Sequence, residues 1–165
     1  MGADEEATGV ADIYVQPGEV HLVQVPTILR TVLGSCVGVT FWNERLGIGA
    51  LCHPMLPRCP EEESGRMSVA ALRRYVDWAI REVAKQLDAL GAKRHETEVK
   101  VFGGADVLEV EHSEARPTVG RMNADRALQI LKEEGYSVIA QRLGGRQGVH
   151  IDFLTTNGEV RLRKL

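Results

Sequence analysis

Residues 37–42 form a nearly unbroken apolar run, Asn43-Glu44-Arg45-Leu46-Gly47 is a polar turn, and residues 48–52 are apolar again. This pattern predicts a β-hairpin. On its second strand Ile48, Ala50 and Cys52 share one face, and Leu51 shares the other with His53. A three- and four-residue period then runs through Val69, Leu72, Val76, Ala79, Ile80, Val83, Leu87 and Leu90, which predicts one helix over 68–90. Ser68 is its cap, Gly91 its end, and Arg73, Arg74, Asp77, Arg81, Glu82, Lys85 and Asp88 its wet side. A second helix is expected over 124–134, capped by Asn123, with Ala127, Leu128 and Leu131 inward and Gly135 as terminator. Further strands are read at 21–25, 98–102 and 137–143, with a closing hairpin of 149–155 and 159–164 across Thr156-Asn157-Gly158. About eight strands and two helices, not in βαβ alternation, favour an α+β fold of packed sheets with helices outside.

The hairpin also carries the candidate chemistry. Gly34 and Ser35 lead into Cys36 at the start of the first strand, and His53 ends the second. A free thiol is only slightly ionised at neutral pH, and an imidazole beside it can take its proton and later return one. Cys36 and His53 lie at comparable distances from the turn. Their odd separation leaves the face of each to be set by the turn and any bulge. Cys52 reads as a small buried hydrophobe. Cys59 lies in an acidic, proline-bounded loop that raises its pKa. His21 reads as an exposed strand residue and His112 as solvated within an irregular stretch, 106–118. Gly103-Gly104 lacks the following helix with Lys-Ser or Lys-Thr that a nucleotide loop needs, so the pair is read as allowing a close backbone approach.

Composition narrows the setting. At 165 residues, 44% hydrophobic and 26% charged, the chain fits a soluble globular domain over 12–165 behind an acidic, mobile tail over 1–11. A net charge of −3 argues against a nucleic-acid binder, and Arg161, Arg163 and Lys164 read as a solvated strand face. Three cysteines and an acidic start, without an apolar leader or a membrane-length run, point to a reducing, cytoplasmic compartment and no membrane insertion. Zinc would need ligands from Cys36, Cys52, His53, Cys59 and His150, but no Cys-x-x-Cys or matched pair is present, so neither metal nor cofactor is expected.

Leu33-Gly34-Ser35-Cys36-Val37 and Gly49-Ala50-Leu51-Cys52-His53-Pro54-Met55-Leu56-Pro57 resemble the CheD family, the chemoreceptor glutamine deamidases of bacterial chemotaxis. Val101-Phe102-Gly103-Gly104-Ala105, Val119-Gly120-Arg121-Met122-Asn123 and Gly144-Gly145-Arg146-Gln147-Gly148 continue the match in order. The resemblance implies a layered α/β/β sandwich of mostly antiparallel sheets with two main helices outside. It implies Cys36 as nucleophile and His53 as base and acid, converting receptor glutamines to glutamates with loss of ammonia. A threonine upstream of the Gly-Ser-Cys completes the family's site. Thr31 is the nearest here, although in some members it lies one residue further from the cysteine, where this chain has Arg30. Backbone N–H groups around Gly34, Ser35 and Cys36, or the Ser35 hydroxyl, are the expected oxyanion donors. Residues 102–105 and 144–148 are read as rims of the cleft. Expected partners are the cytoplasmic helices of methyl-accepting chemotaxis receptors and, for some members, a CheC-type phosphatase. The alternative is a non-catalytic chemotaxis module that regulates such a phosphatase.

Overall fold

The computed structural model describes residues 9–107 and 116–165. Residues 1–8 of the expected tail, and His112, lie outside that range; described chain enters a strand at Ala11. β1 (Ala11–Tyr14), β3 (Thr27–Leu33), β8 (Val149–Leu154) and β9 (Val160–Lys164) form a four-stranded sheet in the order β1-β3-β8-β9. β2 (Val20–Gln24), β5 (Ile48–Cys52), β4 (Val37–Asn43), β6 (Thr97–Gly103) and β7 (Val138–Leu143) form a five-stranded sheet in the order β2-β5-β4-β6-β7. The β1/β3 and β6/β7 pairs are parallel and the remaining pairs antiparallel. Two short helices, α1 (Glu61–Ser64) and α2 (Val69–Leu72), precede the long α3 (Val76–Ala89) and α4 (Val119–Glu133).

Strand alternation sorts the core into two layers. Val37, Val39 and Phe41 of β4 and Ile48, Ala50 and Cys52 of β5 pack against Ala79, Ile80 and Val83 of α3 and Ile130 and Leu131 of α4. The other face of the same strands, including Leu51, meets Leu29, Leu33, Ile151 and Phe153 of the four-stranded sheet. Helices, five-stranded sheet and four-stranded sheet thus stack as an α/β/β sandwich. Both β4 and β5 are covered on both sides, which is why their sequences are almost wholly apolar.

Two helix expectations need correction, and both corrections concern the site. The helix expected over 68–90 is broken at 73–75. Ser68 does cap its first piece, accepting from the Ala71 N–H at 3.2 Å. The break exists because the chain after His53 takes its hydrogen bonds from there. Met55 N–H and Leu56 N–H donate to the Arg74 carbonyl at 2.7 and 3.0 Å, and Val76 N–H donates to Leu56 O at 2.8 Å. A continuous helix would leave those groups unpaired, a cost of about 1–3 kcal/mol for each one buried. Leu72 and Val76 still reach the core, so the period survives the break, while Val69 and Leu90 are 49% and 51% exposed. Asp77, expected on the wet side, is buried in the first turn of α3, where it accepts from the Cys59 and Trp78 N–H groups.

The second helix starts earlier than expected. Thr118 is the cap, accepting from Arg121 N–H at 3.2 Å, and Asn123 lies more than a turn inside, fully buried. Gly120 allows this: a Cβ there would stand 2.4 Å from Ala105 O, so only glycine lets α4 rest on the Gly103-Gly104-Ala105 loop.

Candidate active site

β4 and β5 pair with Val39 opposite Cys52. That register sets Gly38 opposite His53 and Cys36 two residues further along the same face. The odd separation therefore puts both side chains on one side of the sheet, toward the inter-sheet layer: a Cβ on Gly38 would meet Leu33 and Ile151, and Cys36 packs against the same cluster. Diagonal neighbours on a sheet face stand roughly 7–8 Å apart at Cα, within reach of an imidazole. The backbone around His53 is held from both sides. Its N–H donates to Glu19 O at 3.0 Å, its carbonyl accepts from Gly18 N–H at 2.7 Å, and Val37 N–H donates to Pro54 O at 3.3 Å.

The imidazole itself is 1% exposed. Thr31 Oγ1 lies 2.8 Å from His53 Nδ1 and donates to Val15 O at 2.7 Å. A threonine hydroxyl has one hydrogen, and here the Val15 carbonyl takes it. Oγ1 then accepts from Nδ1–H, which leaves Nε2 as the nitrogen with a free lone pair. Among the described residues Nε2 has no hydrogen-bond partner. Burial lowers the His53 pKa to about 4, against the opposing pull of the Val15 carbonyl and Glu19. The ring is neutral at pH 7. Arg30, one residue back, is turned away and pairs with Asp12 and Asp152, so Thr31 occupies the position beside the histidine.

Cys36 is half-buried, and burial raises its thiol above the ordinary value. Thiol and imidazole are thus both neutral at rest. A cleft of about 910 Å³ opens over the cysteine, lined by Ser35, Cys36, Met55, Leu56, Val107 and Val119 among others. Each carbonyl of the Gly34-Ser35-Cys36 loop is engaged from behind. Ala105 N–H donates to Gly34 O at 2.9 Å, Asn123 Nδ2 to Ser35 O at 2.9 Å, and Gly104 N–H to Cys36 O at 2.8 Å. Gly103 has φ +98°, and a Cβ on it would lie 2.3 Å from Cys36 O, which explains the glycine pair as a close backbone approach.

Of the expected rims, Ala105 lines the cleft, but Gly144, Gly145, Arg146 and Gln147 line a separate hollow of about 150 Å³. Cys52 faces the helices, and burial pushes its thiol up to about 12. Cys59 is 8% exposed, its thiol raised by burial and by Asp77 and Glu63. His21 pairs with Glu19 at 3.0 Å. Asn123, expected as a cap, instead donates to the Ser35 and Met55 carbonyls of the site. Its position inside the Val119-Gly120-Arg121-Met122-Asn123 motif was the available signal.

A sandwich holding a thiol and a neutral imidazole on one sheet face, beside an open cleft, has the groups that nucleophilic amide chemistry requires. Residues 55–164 match the family described as CheD chemotactic sensory transduction. The chain is 39% identical over 153 residues to the probable chemoreceptor glutamine deamidase CheD 2 of Geobacter sulfurreducens, covering 93% of this chain and 89% of that protein. It is 33% identical over 165 residues to the probable chemoreceptor glutamine deamidase CheD of Maridesulfovibrio salexigens, covering 98% and 96%. With a protein of the same description from Pseudomonas savastanoi it shares 36% over 159 residues, covering 94% and 85%. The chain belongs to the CheD family. Among the described residues no helix is long and apolar enough to cross a membrane.

Proposed function

We propose that this chain hydrolyses the side-chain amide of glutamines in chemotaxis receptors, releasing ammonia and leaving glutamate. The relatives' descriptions supply the substrate class, and one observation carries the chemistry: Thr31, by spending its hydrogen on Val15, leaves His53 with a basic Nε2 on the face that holds Cys36. Nε2 takes the thiol proton as Sγ attacks the carboxamide carbon. The negative oxygen is received by the backbone N–H groups of Ser35 and Cys36. As the tetrahedral species collapses, the C–N bond breaks and the imidazolium gives its proton to the departing amine. Water, deprotonated by Nε2, then opens the thioester, and the thiol recovers its proton. Three free cysteines suit a reducing cytoplasm, where the receptor helices would be met. A CheC-type phosphatase is the second partner we propose, on family resemblance.

The test is the mass of a receptor cytoplasmic fragment after incubation, since each glutamine converted adds about one dalton. Wild type is expected to add mass, and Cys36→Ala and His53→Ala are expected not to. A fragment left unchanged by wild type would overturn the reading and favour the non-catalytic module.

A further inference from the structure

Asn123 is fully buried, lies on a helix 88 residues away in sequence from the loop it touches, and uses both of its amide hydrogens on site backbone. One goes to Ser35 O at 2.9 Å and the other to Met55 O at 2.9 Å. It therefore ties the residue before Cys36 to the segment that follows His53. In a planar trans peptide the C=O and N–H of one unit point in opposite directions. The Ser35 carbonyl and the Cys36 N–H belong to the same unit. Holding the carbonyl inward toward α4 fixes the Cys36 N–H on the opposite side, and among the described residues neither it nor the Ser35 N–H has a backbone partner. The neighbouring units are fixed by backbone donors, Ala105 N–H on Gly34 O and Gly104 N–H on Cys36 O. Only the unit that carries the Cys36 N–H depends on a side chain.

We propose that Asn123 is a positioning residue whose amide aims the Cys36 N–H at the oxygen of the tetrahedral intermediate. The inference rests on the cysteine–histidine reading above and adds to it a residue that touches neither substrate nor thiol. It separates two reactions of the same sulfur. Alkylation by iodoacetamide displaces iodide and builds no oxyanion. Acylation by p-nitrophenyl acetate does build one: the Sγ–C bond forms, the ester C–O bond breaks, p-nitrophenolate leaves, and the thiol proton passes to His53.

The experiment measures both rates on the full chain, with thermal melting followed by circular dichroism to confirm folding. Asn123→Ala is expected to slow acylation about 100-fold, the size of one lost oxyanion donor. Its alkylation rate, followed from pH 6 to 9, is expected to keep the wild-type profile. If Asn123→Ala does not fold, Asn123→Ser carries the same comparison. Parallel loss of both rates, or loss of neither, overturns the proposal. Neither rate involves a receptor, so a wild-type enzyme that is acylated at Cys36 yet leaves receptors unmodified would refute the substrate class and leave this inference to its own test.

Discussion

Cys36 and Cys52 sit on the same hairpin and face opposite ways, and the contrast explains why only one is offered as a nucleophile. Cys52 lies in the cluster with Val76, Ile80 and Val83, where burial drives its thiol up to about 12. Cys36 lies at the other face, half-buried at a cleft, in the layer where buried polar groups such as Thr31 and His53 also gather. Residue type does not separate the two thiols. Strand register does: neighbours on one strand alternate faces, which turns Cys52 away from His53, whereas across the hairpin Gly38 stands opposite His53 and Cys36, two residues from Gly38, shares that face.

Substitutions at the two faces separate the roles of these residues. Cys36→Ala is expected to lower receptor deamidation by at least about 10³-fold without unfolding the protein, as is His53→Ala. Retained activity in Cys36→Ala, by mass of the receptor fragment, would move the nucleophile elsewhere. Next in size is Thr31→Val, which keeps shape but removes the hydroxyl. It frees the imidazole to take the wrong tautomer and leaves the Val15 carbonyl unpaired, so kcat should fall about 10- to 100-fold with a stability loss of about 1–3 kcal/mol. Thr31→Ser should recover most of both, and recovery by Ser but not Val would identify the hydroxyl as the working group.

A pH series sharpens the difference between the layers. His53 is held at about 4 in the fold against 6.5 unperturbed, so between those values the unfolded chain binds the additional proton. Stability should therefore be intact above pH 6.5 and decline as the pH falls toward 4, by about 3 kcal/mol at the outside. Denaturant titrations at pH 4.5 and 7.0 on wild type and His53→Gln would show it, the variant losing this part of the dependence. Activity should likewise persist at pH 5.5, where an unperturbed imidazole would be about nine-tenths protonated. An acid limb centred near 6.5 would mean that the ring is solvated in the working enzyme. The smallest effect belongs to Cys52→Ala: deamidation within about twofold of wild type, and a lower melting temperature from about 1–2 kcal/mol of lost packing.

The hairpin, the closing strands and an α+β class could be read from the chain because each is written in a local period, two for strands and 3.6 for helices, while the α/β/β layering was implied by the family resemblance. Cys36 and His53 could be read because their flanking residues form a recognisable pair of segments. The break at 73–75 could not, since Arg74 surrenders its helical role to Met55 and Leu56, and the apolar period runs through the break unchanged. Asn123 is not a cap, although its residue type favours caps, because its partners Ser35 and Met55 are 88 and 68 residues away and no local pattern signals them.

What the chain determined by itself is where apolar surface must be hidden, and hence the strands, the layers and a thiol and imidazole at neighbouring strand ends. Only the folded arrangement sets which side each of those groups faces, which imidazole nitrogen keeps a free lone pair, and what holds the loop that carries Cys36. The reason is that burial is signalled by nearest neighbours in sequence, while a buried hydrogen bond is signalled only by the partner the fold delivers to it.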